Sequence, residues 1–468
     1  MNNYYLAIDI GASSGRHIVF WLEDGKICME EVYRFPNGMH ENNGELCWDF
    51  DAMFAHILKG MRRCKEINKV PLSVGIDTWG CDFVLLDDQD SVIGNTVGYR
   101  DHRTDGMDNI VSKIITYDEL YSRTGIQKGM YNTIYQLMAV KTKHPDYLDR
   151  AKTFLMVPDY LHWKLCGVKA NEYTEASTSQ LLNPNTRQWD KELIKMLGYP
   201  VDIFQKVVEP GTPLGELTEE VRGIVGYDCE VVLPATHDTA SAVISITNEE
   251  PNSVFISSGT WSLMGVQIAN PDCSILSRDL NFSNEGGYNS ICYLKNIMGL
   301  WMIQCVKKEL EAQGIYLTYG ELCDMAEHEK ISAIVPCNHD RFLSPSHMIT
   351  EIQQACEESR LDVPNSPSQI AAVVYNSLAE CYGNVIQQLE RKFKKKFSVV
   401  NIIGGGSNAT FLNQLTAKYT RCTVYAGPGE ATAIGNAVVQ MLYSGEFESL
   451  SDARNCITRS FPVNKIVS

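Results

Sequence analysis

The chain lacks the short glycine motifs that mark the commonest nucleotide-binding folds. No GxxxxGK[ST] segment occurs in its 468 residues, which excludes the P-loop class. No GxGxxG segment occurs either, because the triple glycine Gly404–Gly406 is followed by Ala409 where a third spaced glycine would stand. Any nucleotide site in this chain has to be built from other turns.

Basic residues are also scarce. The chain has 41 Lys and Arg against 57 Asp and Glu, a formal net charge of -16, which argues against a nucleic-acid or anionic-membrane partner. The sequence contains no run of about 18 apolar residues, the length that a helix needs to span a bilayer. The first residues, Met1–Tyr5, carry neither a basic segment nor a signal-type apolar core. We therefore expect a soluble, cytoplasmic protein whose partner is a small molecule.

Cysteines are numerous but never clustered. The closest two of the 15, Cys292 and Cys305, are separated by 13 positions, so there is no CxxC pair and no zinc-type spacing. We expect reduced, mostly buried thiols.

The length and the apolar fraction of 44% predict two domains of similar size. In the first half, strands are predicted at Tyr4–Ile10, His17–Leu22 and Ile27–Tyr33, followed by a helix over 51–68 and a strand at Val70–Asp77. This order is mixed α/β and differs from the alternating order of a dinucleotide-binding fold. A hairpin of Phe83–Leu86 with Val92–Thr96 is predicted next.

The second half repeats this plan after the polar segment 247–253, which is the predicted boundary. It begins with another strand–turn–strand unit and continues with a long helix and two strands that alternate with helices. The predicted elements are Ser253–Ser257, Trp261–Ile268, Gln369–Lys394, Ser398–Ile403, Asn408–Tyr419, Cys422–Ala426 and Glu430–Tyr443.

Two turns rich in glycine and hydroxyls, within 8–16 and 255–261, point backbone N–H groups at an anion and predict phosphate sites. Asp9 stands beside the first turn and either caps it or holds Mg²⁺ through water. Asp77 ends a later strand in the same way. If the two strands are neighbours, both carboxylates meet at one edge of the sheet.

Asp238 follows His237 among small residues and after an apolar strand. It either caps a helix that starts at Thr239 or accepts a proton from a substrate hydroxyl, and the two roles are compatible. His237 is interpreted as a substrate contact. One base and two phosphate turns indicate phosphoryl transfer to an alcohol.

Three further segments have weaker signals. The glycines at 404–406 are either a flexible loop or a turn that lets a ligand approach bare backbone. The charged loop at 100–105 is interpreted as solvated. No role follows from the sequence for the polar stretch 171–177, which contains Glu172, Thr174 and Ser177.

Eight motifs, in family order along nearly the whole chain, resemble those of the FGGY family of carbohydrate kinases. They are Asp9–Arg16, Asp77–Leu86, Tyr99–Arg103, Asn132–Leu137, His237–Val243, Ser257–Gly265, Lys295–Trp301 and Gly404–Gly406. The resemblance implies an actin-like ATPase fold of the α/β class, with two RNase H-like domains and an interdomain cleft. Residues 1–246 would form the N-terminal sugar-binding domain and residues 247–468 the C-terminal nucleotide-binding domain.

The resemblance also implies the site residues and the cofactors, ATP and Mg²⁺. Asp238 would be the catalytic base, and Asp9 would hold the metal through water. The nucleotide would be bound by Ala12, Ser13, Ser14, Gly15, Arg16, Gly259, Thr260, Gln304 and Gly405. The sugar would be bound by Gly80, His237, Asp238, Thr239 and Asn296.

The expected reaction is phosphorylation of L-rhamnulose at its C1 hydroxyl. Gly80 and Cys81 stand where glycerol kinases carry Arg-Glu, which suits a bulkier deoxy-ketose, while the loop Gln127–Met130 leaves L-fuculose, L-ribulose and D-xylulose as alternatives. A filament former or a chaperone ATPase with the same fold would need no acceptor base, so the His237–Asp238 pair argues against it. The expected assembly is a monomer or a weak homodimer.

Overall fold

The structure, a computed structural model, describes residues 2–467 and has two compact units. The first unit comprises the chain up to Ser245 together with Gln267–Tyr293 and Thr432–Ser460. The second comprises Ile246–Val266, Leu294–Ala431 and the chain from Phe461 onward.

The sequence predicted two contiguous domains with a boundary at 246/247. The observed units differ from this prediction because 267–293 and 432–460 belong to the first unit. Hydrogen bonds give the physical reason. The amide of Gln440 donates to the carbonyl of Leu6 at 3.0 Å, and the backbone N–H of Gly286 donates to the hydroxyl of Ser177 at 2.7 Å. Backbone and side-chain groups of the N-terminal half thus find partners far along the chain.

The strands are mostly short, with the longest in the first 36 residues. In chain order they are β1 Tyr5–Ile10, β2 Ser14–Glu23, β3 Lys26–Pro36, β4 His40–Asn42, β5 Glu45–Cys47, β6 Ser73–Thr78, β7 Phe83–Leu86, β8 Thr153–Met156, β9 Asn171–Glu172, β10 Leu182–Asn183, β11 Gln188–Trp189, β12 Val207–Val208, β13 Pro213–Glu216, β14 Glu230–Val232, β15 Ser253–Ser258, β16 Trp261–Ile268, β17 Ser283–Gly287, β18 Ser290–Met298, β19 Val399–Ile403, β20 Thr423–Ala426 and β21 Asn464–Ile466.

The helices range from single turns to the long helix of the C-terminal half. In chain order they are α1 Phe50–Glu66, α2 Met107–Val111, α3 Tyr117–Thr124, α4 Thr133–Lys143, α5 Pro145–Arg150, α6 Val157–Cys166, α7 Tyr173–Ser177, α8 Lys191–Met196, α9 Glu219–Val225, α10 Asp238–Ile244, α11 Ile275–Asp279, α12 Trp301–Ala312, α13 Tyr319–Glu327, α14 Met348–Glu358, α15 Pro367–Phe393, α16 Thr410–Thr420, α17 Ala431–Tyr443 and α18 Leu450–Ser460.

The main sheet of the first unit has the strand order β13-β14-β6-β1-β2-β3. The predicted meander β1–β2–β3 is confirmed, with Asp24 and Gly25 at positive φ in its second turn. Strand β6 pairs with β1 in parallel and places Asp77 directly beside Asp9. The two strands are therefore neighbours, as the convergence of these carboxylates requires.

Helix α1 confirms the predicted helix over 51–68, with its ends shifted by one or two residues. It begins after Asp49, whose carboxylate accepts a hydrogen bond from the backbone N–H of Ala52 at 2.9 Å. Its apolar residues Ile57 and Met61 are fully buried in the same core as Ile8 of β1. The helix thus packs its apolar side against the sheet.

The second unit repeats the arrangement. Strands β16, β15, β19, β20 and β21 are neighbours in that order. Strand β15 pairs with β16 antiparallel and with β19 in parallel, as β1 does with β2 and β6. The duplicated plan inferred from the sequence is therefore confirmed.

The predicted hairpin of Phe83–Leu86 with Val92–Thr96 is confirmed only next to its turn. The N–H of Ile93 donates to the carbonyl of Leu85 at 2.9 Å, and Leu86 forms a single antiparallel bridge with Val92. Strand β7 also pairs antiparallel with β8, whose four buried residues were predicted from no local pattern. Tertiary pairing thus adds a partner that the local alternation did not indicate.

No helix in the described part of the chain is long and apolar enough to cross a membrane. The 15 cysteines, all within the described residues, form no disulfide, and ten of them are buried.

We expect Gly435→Ala to destabilise the first unit. A Cβ at Gly435 of α17 would lie 1.8 Å from the carbonyl oxygen of Ser241 in α10, and both of these atoms belong to backbones that cannot rotate away. Overpacking of this kind typically costs about 1–3 kcal/mol. The measurement is the shift of the thermal unfolding midpoint.

The matched control is Gly223→Ala in α9, where an added Cβ would meet no atom within 4 Å. Helix propensity predicts that this variant is as stable as the parent or more stable by up to about 1 kcal/mol. Equal midpoints for the two variants would contradict the close contact of α10 with α17.

Candidate active site

Asp9 and Asp77 lie side by side at the ends of β1 and β6. The guanidinium of Arg16 lies 3.3 Å from the Asp9 carboxylate, while Asp77 accepts a hydrogen bond of 2.6 Å from the amide of Asn436. Burial raises the pKa of both carboxyls, and the charge of Asp9 raises the pKa of Asp77 further. The positive charge of Arg16 opposes the rise in the pKa of Asp9.

The first glycine turn is fixed by its own backbone and by Asn37. The N–H of Gly11 donates to the carbonyl of Ser14 at 2.9 Å, and the Asn37 amide donates to the carbonyl of Gly11 at 2.8 Å. The N–H of Asn37 also donates to the carbonyl of Ser13 at 3.0 Å. Ala12, Ser13 and Ser14 are exposed or half-buried, so the tip of the turn is open to a ligand.

Gly15 lies where the chain leaves the turn and enters β2, and this position has no room for a side chain. A Cβ at this position would lie 2.1 Å from the ring of Phe35 on β3. The ring fills the space that a side chain at position 15 would need, so only glycine fits at this position of β2.

Asp238 is the first residue of α10, and His237 occupies the cap position without a side-chain capping bond. Asp238 is therefore not the helix cap, which corrects the alternative of a helix starting at Thr239. The hydroxyl of Thr239 donates to the Asp238 carboxylate at 3.2 Å. Desolvation raises the pKa of Asp238 to about 6, although 36% of its side-chain surface stays exposed. The carboxylate is both accessible and more basic than an ordinary aspartate.

The backbone before Asp238 is held by Glu172. This buried carboxylate accepts hydrogen bonds from the N–H and hydroxyl of Thr236 at 3.1 and 2.7 Å. It also accepts from the N–H and hydroxyl of Thr174 and from the N–H of Glu175. The hydroxyl of Thr174 in turn accepts from the N–H of His237 at 3.1 Å. A residue whose role the sequence did not reveal thus fixes the approach to Asp238.

Gly80 lies against Thr178, the residue that follows the short helix α7. A Cβ there would lie 3.1 Å from Thr178, whose hydroxyl accepts from the backbone N–H of Cys81 at 3.0 Å. Cys81 is buried with φ 77, a conformation that L-residues rarely adopt. Thr178 follows α7 directly, so α7 and its flanks fix the positions of both Gly80 and His237.

In the second unit, the turn between β15 and β16 contacts the start of α12. The carbonyls of Gly259 and Thr260 accept from the N–H groups of Leu300 and Trp301, both at 3.0 Å. Gln304 lies one turn further along α12, half-buried. The structure therefore brings Gly259, Thr260 and Gln304 together.

The triple glycine Gly404–Gly406 packs against the C-terminal end of β15. A Cβ at Gly406 would lie 1.9 Å from the hydroxyl of Ser258, and Gly404 has φ 83. Gly405 has nothing within 4 Å of an added Cβ and so presents bare backbone. These contacts favour a close-approach turn over a flexible loop.

The predicted site residues therefore fall into two groups, one in each unit. Asp9, Ala12 to Arg16, Gly80, His237, Asp238 and Thr239 lie in the first, and Gly259, Thr260, Asn296, Gln304 and Gly405 lie in the second. Asn296 stands on β18.

Sequence reasoning missed Asn37, Glu172, Thr178 and Glu285. Glu285 lies on the buried strand β17, with its carboxylate 3.7 Å from Nδ1 of His237. A charged residue between Asn284 and two glycines, in a stretch that otherwise reads as a strand, was the available signal.

Within residues 2–467 no group of three or more His, Cys, Asp or Glu side chains is arranged to hold a metal ion. Any cation in the first unit would have few direct protein ligands.

Comparison with known proteins gives a consistent result over the whole chain. Residues 4–245 match the N-terminal domain of the FGGY family of carbohydrate kinases, and residues 254–443 match its C-terminal domain. The chain is 47% identical to the rhamnulokinase of Halalkalibacterium halodurans, over 100% of this chain and 99% of that protein. It is 39% identical to the rhamnulokinase of Bacillus subtilis, over 98% and 94%.

Solved structures of sugar and polyol kinases share the fold. The gluconate kinase of Lactobacillus acidophilus has a TM-score of 0.79 at 15% identity, covering 100% of this chain and 94% of that one. The Plasmodium falciparum glycerol kinase with ADP has a TM-score of 0.75 at 15% identity, covering 99% and 94%. At these identities the likeness concerns the fold alone.

Two buried glutamates, three positions apart, should respond oppositely to the same substitution. Glu172→Gln places an NH₂ group among the N–H and O–H donors that the carboxylate now accepts. We expect a loss of about 1–3 kcal/mol in the free energy of unfolding, measured as a lower urea midpoint.

Glu175→Gln is the matched control, since both carboxylate oxygens of Glu175 are buried without a hydrogen-bond partner in the described chain. Burial and then the charge of Asp159 raise its pKa well above the ordinary value. A raised carboxyl pKa costs stability as pH rises above the unfolded value of about 4.3. Glu175→Gln should therefore gain stability over the parent with increasing pH, and a loss that matches Glu172→Gln at pH 8 would contradict this assignment.

Proposed function

The chain belongs to the FGGY family of carbohydrate kinases, and we propose on that basis that it transfers the terminal phosphoryl group of ATP to the C1 hydroxyl of L-rhamnulose. The products are L-rhamnulose 1-phosphate and ADP. One observation of the structure supports the reaction most strongly: Asp238 combines an open carboxylate with a pKa raised to about 6.

Asp238 accepts the proton of the acceptor hydroxyl in this proposal. A base is most effective when its pKa approaches the working pH, because it is then ionised and still a good proton acceptor. The bond from Thr239 fixes the carboxylate, and the Glu172 contacts fix the backbone that leads to it. As the proton moves to Asp238, the acceptor oxygen forms a bond to the γ-phosphorus, and the bond from that phosphorus to the oxygen that leaves with ADP breaks.

The open turn at Ala12 to Ser14 provides the phosphate-binding backbone of the first unit. Its N–H groups and hydroxyls stabilise negative charge that is spread over phosphoryl oxygens. Arg16 at the base of the turn adds a positive charge. In the second unit, Gly259, Thr260, Gln304 and the bare backbone at Gly405 provide the remaining nucleotide contacts.

The acidic pair of the first unit fits a magnesium ion. Asp77 has one buried carboxylate oxygen without a hydrogen-bond partner in the described chain, and it stands in register with Asp9. Carboxylate oxygens suit Mg²⁺, which keeps most of its waters and needs few protein ligands. When bound by Asp9 through water, with Asp77 beside it, the ion would offset phosphate charge.

The identity of the sugar is tested by an assay of coupled ADP release with four ketoses. We expect the largest kcat/KM with L-rhamnulose, followed by lower values with L-fuculose, L-ribulose and D-xylulose. Equal values for several sugars would reject the specific assignment while retaining the kinase. Rapid ATP hydrolysis with no sugar dependence would reject the kinase.

Asp238→Asn should lower kcat by about 10²–10⁴-fold, because the amide cannot accept the proton. In the parent enzyme kcat/KM should fall as pH drops below about 6, where Asp238 becomes protonated, whereas the variant should lack this limb. Nucleotide affinity, measured by calorimetry, should be unchanged. Asp202→Asn, at an exposed position in the same unit, is the matched control. Retention of most of the turnover would remove Asp238 from the role of base.

A further inference from the structure

The carboxylate of Asp77 is held at one of its two oxygens. Its Oδ2 accepts a hydrogen bond of 2.6 Å from the side-chain amide of Asn436 on α17. Its Oδ1 is buried and has no hydrogen-bond partner among the described residues. Leaving a buried acceptor open is costly, and Asp77 stands fully buried in register with Asp9. The open oxygen therefore marks a position for a ligand, and Asn436 is the group that decides which oxygen is open.

The direction of the Asn436 amide follows from its neighbours. The same Nδ2 donates to the backbone carbonyl of Gly75 at 3.1 Å, and a carbonyl oxygen can only accept. On the other side, Oδ1 of Asn436 accepts from the side-chain amide of Gln440 at 2.7 Å. Both contacts require the NH₂ group of Asn436 to face Asp77. A reversed amide would place its oxygen against the Asp77 carboxylate and the Gly75 carbonyl.

Gln440 is oriented by the same kind of contact. Its Nε2 donates to the backbone carbonyl of Leu6 at 3.0 Å, and its Oε1 accepts from the hydroxyl of Ser73 at 2.6 Å. Gln440 and Asn436 are four positions apart on α17 and so lie on one face of the helix. Both side chains are fully buried, which keeps bulk water from competing for these bonds. The orientation of the two amides is thus fixed by backbone carbonyls of β1 and β6.

Strand β6 presents a matching face to α17. Positions 73, 75 and 77 alternate along the strand and so face the same side of the sheet. A Cβ at Gly75 would lie 2.8 Å from Oδ1 of Asn436. The glycine therefore leaves room for the amide between the hydroxyl of Ser73 and the carboxylate of Asp77. All of these residues belong to the first unit, so the network lies within one compact body.

We propose that Asn436 is a positioning residue of the kinase, acting through Asp77. By holding Oδ2 it fixes the carboxylate in an orientation that leaves Oδ1 to the magnesium ion, and Gln440 keeps the amide from turning over. This inference rests on the proposed function, because it assigns the open oxygen of Asp77 to the cation that accompanies the nucleotide.

The alternative is a network that does no more than pack α17 on the sheet. Ser73 separates the two, since its hydroxyl donates to Gln440 at the far end of the network. Ser73→Ala removes a buried hydrogen bond of the network but keeps the bond from Asn436 to Asp77. Asn436→Leu, of similar size and shape, removes that bond. Both variants should unfold at a lower urea concentration than the parent, so stability alone does not distinguish them.

The binding test measures the affinity for Mn²⁺, which prefers oxygen ligands as Mg²⁺ does, by electron paramagnetic resonance. ADP is present and the protein is in excess over it, so the result does not depend on turnover. We expect Asn436→Leu to weaken Mn²⁺ binding by about 10–100-fold, the usual effect of removing a group that orients a metal ligand. Gln440→Met keeps Asn436 but frees its amide, and should fall between Asn436→Leu and the parent. Ser73→Ala should bind Mn²⁺ as the parent does.

The direct test is a crystal structure with ADP and Mn²⁺, in which anomalous scattering locates the ion. The ion, or a water bound to it, should lie at Oδ1 of Asp77, with the Asn436 amide still on Oδ2. No ion beside Asp77 would overturn the proposal, as would equal Mn²⁺ affinities of Asn436→Leu and the parent or an equal loss in Ser73→Ala. If Asn436→Leu does not fold, Gln440→Met and the crystal decide.

The proposed function fails in a different way. A parent that binds Mn²⁺ at Asp77 but phosphorylates no ketose would reject the kinase reaction and would leave the role of Asn436 intact. A parent that phosphorylates L-rhamnulose, with Mn²⁺ affinity unaffected by Asn436→Leu, would retain the reaction and reject the role of Asn436.

Discussion

The backbone that leads to Asp238 depends on one buried carboxylate, that of Glu172. A buried carboxylate is tolerated only where hydrogen-bond donors surround it, and here five donated bonds from three residues do so. Because Thr236 supplies two of those donors, the residues immediately before Asp238 have little freedom. The position of Asp238 is thus a consequence of satisfying the buried carboxylate of Glu172.

The short helix α7 extends the same constraint to its neighbours. Thr174 holds His237, Ser177 holds the strand of Glu285, and Thr178 at its end holds the strained turn at Cys81. Each contact is a hydroxyl paired with a backbone N–H. The five-residue helix α7 and Thr178 after it therefore hold in place three segments that are distant in the sequence. These segments carry all the sugar-site residues predicted for the first unit.

Acidic groups accumulate in this region at a cost to stability. Burial raises the pKa of Asp77, Asp159 and Glu175 well above the ordinary value for a carboxyl group. Strongly raised carboxyl pKa values of this kind cluster at functional sites. Desolvation in the same region raises the pKa of Asp238, which supports the role of base proposed for it.

The sequence by itself determined the meander of the first half, the strands that flank the two glycine turns, the repeat of this plan in the second half and the family motifs, since alternation and turn chemistry are local properties. It also located Asp9, Asp77 and Asp238. The tertiary structure decided the pairing of β7 with β8, the return of 267–293 and 432–460 to the first unit, and the hydrogen bonds of Glu172. The reason is distance along the chain: the bond from Thr236 to Glu172 joins residues 64 positions apart, and a local pattern carries no information about such a partner.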